Sequence, residues 1–142
     1  MAYSSIDDLK KKIDEIKLIQ LTDIGGSGRV DSVKVESAIA EADALIDSYV
    51  SRVYQTPLGP VPNIVVDISA TIAIGNLHRF RCVESLVWTK AYENAILFLK
   101  KVAGGAVTLE GAVTEPSPSG NASSAGFSSA DRRFSRETLK GM

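Results

Sequence analysis

From Val35 to Val53, apolar and small side chains recur every third or fourth residue: Val35, Ala38, Ile39, Ala42, Ile46, Tyr49, Val50 and Val53. That spacing lays them along one stripe of an α-helix, whereas a half-buried strand alternates every second residue. Asp31 and Ser32 are both good N-caps, so the expected helix opens there and runs to about Val53. It is the longest element expected, and its alanines let a neighbour approach closely. It ends in Arg52, Tyr54 and the turn-forming Pro57-Leu58-Gly59-Pro60. An amphipathic helix that runs into a proline-rigid corner bearing Arg and Tyr is suited to contact with protein surfaces, and no catalytic grouping lies near it. Tyr49, Arg52, Tyr54, Pro57 and Leu58 are therefore the first candidate interface residues.

Three further helices are expected around it. The first covers roughly 5–20: Ser5 and Asp8 form a capping-box pattern, and Ile6, Leu9, Ile13 and Ile16 make one stripe. The third runs from Asn63, a candidate N-cap, to about Arg81. It is apolar nearly all round, which implies burial on several sides, although its β-branched residues also permit a strand. The fourth, about 84–103, carries Trp88, Tyr92, Ala95, Leu99 and Val102 at alternating four-three spacing. Lys100 and Lys101 suit its C-terminal end, and Gly104-Gly105 stops it. Residues 106–113 (AVTLEGAV) read as a short strand. The fold class is thus mainly α: a compact bundle of about four helices over 1–114, with a short β segment near its end.

Beyond 114 the composition changes. Residues 115–131 are rich in Ser, Gly, Ala and Pro and offer little apolar surface to offset ordering entropy, so they read as a flexible linker. Residues 132–142 (RRFSRETLKGM) place Phe134 and Leu139 among Arg132, Arg133, Arg136 and Lys140. They read as a basic docking segment on a tether. With Asp131 and Glu137 counted, residues 131–142 hold a local +2 and leave −3 over the rest of a chain whose net charge is −1. That balance gives no global reason to expect DNA or an anionic membrane as partner.

Other features narrow the class. The single cysteine excludes an intrachain disulfide framework and suits a reducing compartment. The start is polar, without a signal-peptide core. Ile64–Leu77 is too short for a membrane span and carries Asp67 and Asn76. A soluble, cytoplasmic protein without membrane contact is expected. Gly25-Gly26-Ser27-Gly28 lacks the Lys-Ser/Thr of a phosphate loop, since Arg29-Val30 follows, and reads as an interhelical turn. His78 and Cys82 stand four apart on a helix, but the chain has no other His or Cys to complete a zinc site. A half-buried His and an inert core Cys are expected instead, with no metal, no cofactor and no enzyme activity. Glu36, Glu41, Asp43 and Asp47 read as a solvated acidic face, and Trp88, Tyr92 and Phe98 as core. A nucleic-acid-binding regulatory module, using the basic tail with Arg79 and Arg81, is the alternative. Positive charge is sparse for that role, and no recognition-helix pattern appears.

Four stretches resemble, in the same order, a known family: 38–58 (AIAEADALIDSYVSRVYQTPL), 61–81 (VPNIVVDISATIAIGNLHRFR), 91–111 (AYENAILFLKKVAGGAVTLEG) and 132–142. The family is that of the Mu-like bacteriophage and prophage head–tail joining proteins, the gene product 36-like group. The most specific parts are Ala38, Ala42, Asp43, Ile46, Asp47 and Tyr49 on the long helix. Arg52, Pro57 and Leu58 at the corner and Phe134-Ser135-Arg136-Glu137 near the end complete them. Two departures stand out: Val53 separates Arg52 from Tyr54, and the Ser/Gly-rich segment at 116–130 is longer than the usual link. The resemblance implies a structural role, as an adaptor that forms a dodecameric ring beneath the phage portal and bridges it to the tail or stopper. Expected partners are then the chain itself, the portal protein and the tail or stopper protein. DNA would pass through the lumen without specific binding. The expected place is the virion, and the host cytoplasm during assembly, with the isolated chain able to remain a monomer.

Overall fold

Asn63–Phe80 sits at the centre of the protein, and its composition explains why. Val65, Ile68, Ala70, Ile72, Ala73, Ile74, Gly75 and Leu77 cover most of its circumference and are all buried. In the computed structural model, which describes residues 2–112, four other helices surround it. They are α1 (Ile6–Lys12), α2 (Glu15–Thr22), α3 (Ser32–Val50) and α5 (Leu86–Ala103), so the central helix is α4. It packs on each of the other four. The helical reading of 63–80 therefore prevails over the strand one: burial on every side outweighs the modest helix penalty of β-branched residues. Pro62, not Asn63, occupies the N-cap position.

Five helices stand where four were expected, because residues 5–20 do not form one rod. Ile13 is extended, at φ −137 and ψ 155, and Asp14 after it is extended as the N-cap of α2. In one continuous helix Leu21 would lie roughly a quarter of a turn, and Leu18 roughly two-fifths of a turn, away from the Ile6-Leu9-Ile13 stripe. Breaking the rod at Ile13 lets Leu9, Leu18 and Leu21 all reach the core. The cost is Ile16, expected on the stripe and instead 71% exposed. The capping box at Ser5 and Asp8 forms as expected, with the Asp8 carboxylate accepting from the Ser5 N–H at 2.9 Å. Lys12 of α1 reaches Asp67 of α4 at 2.6 Å.

α3 starts at the Asp31 cap, whose carboxylate accepts from the Val33 and Lys34 N–H groups. Its stripe (Val35, Ala38, Ile39, Ala42, Ile46 and Val50) is buried as the spacing requires. Between α2 and α3 the glycine turn closes around Asp23, which accepts from Ser27 N–H at 3.0 Å and Gly28 N–H at 2.7 Å. α4 and α5 cross closely at Gly75, where an added Cβ would stand 2.8 Å from the Tyr92 ring.

α4 and α5 end the same way. After α5, Gly105 adopts φ 82, its N–H bonds the Val102 carbonyl, and Ala106 N–H bonds that of Lys101. After α4, Cys82 adopts φ 56, its N–H bonds the Arg79 carbonyl, and Val83 N–H bonds that of His78. Both are Schellman endings; one uses glycine and the other a cysteine.

No strand forms over 106–112. The Ala106 N–H is taken by the end of α5, the Leu109 N–H by the Tyr54 hydroxyl at 2.7 Å, and Gly111 turns the chain at φ 81. Residue 113, the linker expected at 115–131 and the docking segment at 132–142 lie outside the described residues.

Candidate protein interface

The corner after α3 separates the expected contact residues into two sets. Tyr54 and Leu58 are buried. The Tyr54 hydroxyl accepts from Leu109, and the Leu58 N–H donates to the Tyr3 hydroxyl at 2.9 Å. They are core residues that tie the corner to both ends of the helical body, which corrects their reading as interface. Arg52 and Pro57 are exposed and Tyr49 is half-buried. Tyr49 and Arg52 line one shallow depression with Lys100 of α5. Arg132, Arg133, Phe134, Arg136 and Leu139 lie outside the described residues.

The expected acidic face is also divided. Glu36 and Glu41 are exposed, but Asp43 is buried. Its carboxylate accepts from the Tyr3 N–H at 2.9 Å and from the Ser69 hydroxyl at 2.7 Å. Because the Ser69 proton goes to Asp43, Ser4 must donate in the 2.7 Å contact between the two serines. The Tyr3 hydroxyl in turn donates to Asp47. Burial pushes the Asp43 carboxyl above its usual range, only partly opposed by these hydrogen bonds. Burial, with the Asp47 hydrogen bond second, pushes the Tyr3 phenol up to about 12. The two aspartates of α3 thus hold the N-terminal segment onto α3 and α4. Spacing alone could not separate that role from a solvated one, since the partners stand 26 to 44 residues away in sequence.

The expectations for His78 and Cys82 change as well. His78 is buried, with Nδ1 donating to the Ile74 carbonyl at 2.9 Å and its ring stacked 6.2 Å from Trp88. Cys82 is exposed rather than core, because it occupies the left-handed position beyond α4. Among the described residues no group of three or more His, Cys, Asp or Glu side chains could hold a metal ion. No described helix is long and apolar enough to cross a membrane. Trp88, Tyr92 and Phe98 pack against the core while remaining partly exposed. Arg79 lies 4.6 Å over the Tyr92 ring and donates to its hydroxyl.

Spacing did not point to one group of exposed apolar side chains. Phe80, Val83, Leu86 and Val87, across the α4–α5 turn, are all exposed, Leu86 by 89% and Val87 by 72%. The signal was present: Leu86 and Val87 begin α5 off the stripe that runs from Trp88 to Val102. Two exposed apolar residues at a helix start, with Val83 in the preceding turn and Phe80 at the end of α4, are apolar surface that folding leaves uncovered.

These features define a small, mainly α protein whose distinctive chemistry lies in apolar and charged surfaces. The chain belongs to the Bacteriophage Mu, Gp36 family, whose model matches residues 3–126. It is 32% identical over 107 residues to the Mu-like prophage FluMu protein gp36 of Haemophilus influenzae, covering 75% of this chain and 74% of that one. It is 27% identical over 106 residues to Gene product J of Escherichia phage Mu, covering 74% of each. It is therefore a protein of Mu-like phages and prophages.

Proposed function

We propose that this protein is a non-enzymatic head–tail connector, a component of the virion that assembles in the host cytoplasm as a ring below the portal. A dodecamer matches that place, with the portal on one side and the tail or stopper on the other. DNA passes through the lumen without specific binding. Family membership supports a phage role, and the exposed α4–α5 turn is the observation that carries the structural one. A ring closed by head-to-tail contacts needs two different matching patches on each subunit. Phe80, Val83, Leu86 and Val87 supply an apolar one, with Arg79 and Arg81 at its rim. Tyr49, Arg52 and Pro57 supply a second, more polar surface, and the basic segment at 132–142 a tethered third contact.

The test is Leu86→Asp with Val87→Asp in the full-length protein. Both side chains are exposed, so the melting temperature stays near that of the wild type. Incorporation into particles falls sharply, because two charges must then be desolvated in the contact. Wild-type incorporation by the double variant would remove this turn from the interface.

A further inference from the structure

α1 and α3 leave a groove of about 890 Å³ between them, floored by Ile6, Ile39, Ala40 and Ala44. Asp7, Glu36 and Asp47 line it, while Asp43 beneath is occupied by Tyr3 and Ser69. Lys10, the one base among the described residues lining it, lies 3.7 Å from Glu15. The groove thus combines apolar lining side chains with acidic ones.

The described chain ends at the corner that Tyr3 joins to the Asp47 end of the groove. Leu109 is bonded to Tyr54, Leu58 to Tyr3, and Tyr3 to Asp47 of the groove wall. Gly111 lies against Pro60 of the same corner. From Ala112 to Arg132 is a span of about twenty residues, at most about 72 Å fully extended. A Ser/Gly-rich chain of about twenty residues has an end-to-end distance of about 25 Å, against a radius of gyration of about 13 Å for a body of this size. The tether is long enough, and starts close enough, to return the segment to this groove.

We propose that Arg132–Arg136 of the same chain occupies the α1–α3 groove, with Phe134 over the Ile39 and Ala40 floor and the arginines against Asp7, Glu36 and Asp47. Charge selects this groove over the apolar α4–α5 turn, where Arg79 and Arg81 oppose a triply basic segment. The tether makes the contact intramolecular and raises its effective concentration. The contact belongs to the free chain, before the segment makes its tethered contact in the ring; it needs no portal and no ring, so its failure leaves the connector reading untouched.

The experiment uses the full-length chain with Cys82→Ser and a spin label on Ser135→Cys, observed by amide NMR. At low ionic strength, signals of Ile6, Ala40 and Ala44 lose most of their intensity. They recover near 1 M salt, where the screening length falls to about 3 Å, and in the Asp7→Lys, Glu36→Lys variant. Undisturbed groove signals at low salt overturn the proposal, as does broadening at Phe80–Val87 instead. Broadening seen only between labelled and unlabelled chains in a mixed sample assigns the contact to a second copy and overturns it too.

Discussion

Asp43 shows how one residue can carry both a sequence pattern and a fold. On the helix it is one of four acidic side chains. In three dimensions it satisfies the Tyr3 N–H and the Ser69 hydroxyl. Removing its carboxylate leaves those buried donors unpaired, at about 1–3 kcal/mol. Asp43→Ala should lower stability by that amount in urea unfolding, whereas Glu41→Ala, on an exposed side chain, should change it little. Tyr3 makes a pH-dependent contribution of defined sign. Its folded pKa, about 12, is raised from the ordinary value of 10.0. The folded state therefore holds that proton more tightly, and the stability it contributes is full below pH 10 and lost as pH rises toward 12. A melting series over that range should show the loss, and Tyr3→Phe, less stable at neutral pH, should not show this added slope. The opposite window applies to Asp8: burial raises it, but hydrogen bonds from Ser5 and the nearby Lys11 leave it below 3.8, so its share is lost in acid.

At the scale of elements, the two Schellman endings make a natural comparison. Cys82 at φ 56 accepts a backbone conformation that costs an L-residue about 1–2 kcal/mol, while glycine costs about 0.5–1 kcal/mol in unfolded-state entropy. Cys82→Gly should therefore stabilise the protein by about 0.5 kcal/mol, read as a small rise in denaturation midpoint at unchanged slope. The long elements were legible in the sequence. The α3 stripe, the Asp31 cap and the Gly104-Gly105 stop each rest on local spacing or local chemistry, and local rules place them. The break at Ile13 was not, because its cause is the shared core that Leu9, Leu18 and Leu21 must all reach. Residues 106–112 misled for a related reason: their β-branched pattern suits a strand, but their donors are committed to α5 and Tyr54. At the candidate interface, Arg52 and Pro57 were legible as exposed corner residues. Tyr54 and Leu58 were not legible as core, since each is held by a partner some fifty-five residues away.

For the whole molecule, a core built around α4 accounts for a stable body, and the surfaces left over account for what such a body can do. Helix packing covers the α3 stripe and leaves the α4–α5 turn bare. The chain's near-neutral charge fits a ring that DNA traverses without being held, since strong positive charge in the lumen would bind phosphate. The connector reading is tested most directly by mass measurement in light scattering, on the protein alone and then mixed with portal-bearing, tail-less heads. Saturable binding at a fixed ring stoichiometry is expected on those heads, and none on heads lacking the portal. A protein that ignores portals and instead binds DNA in a salt-dependent way would contradict it.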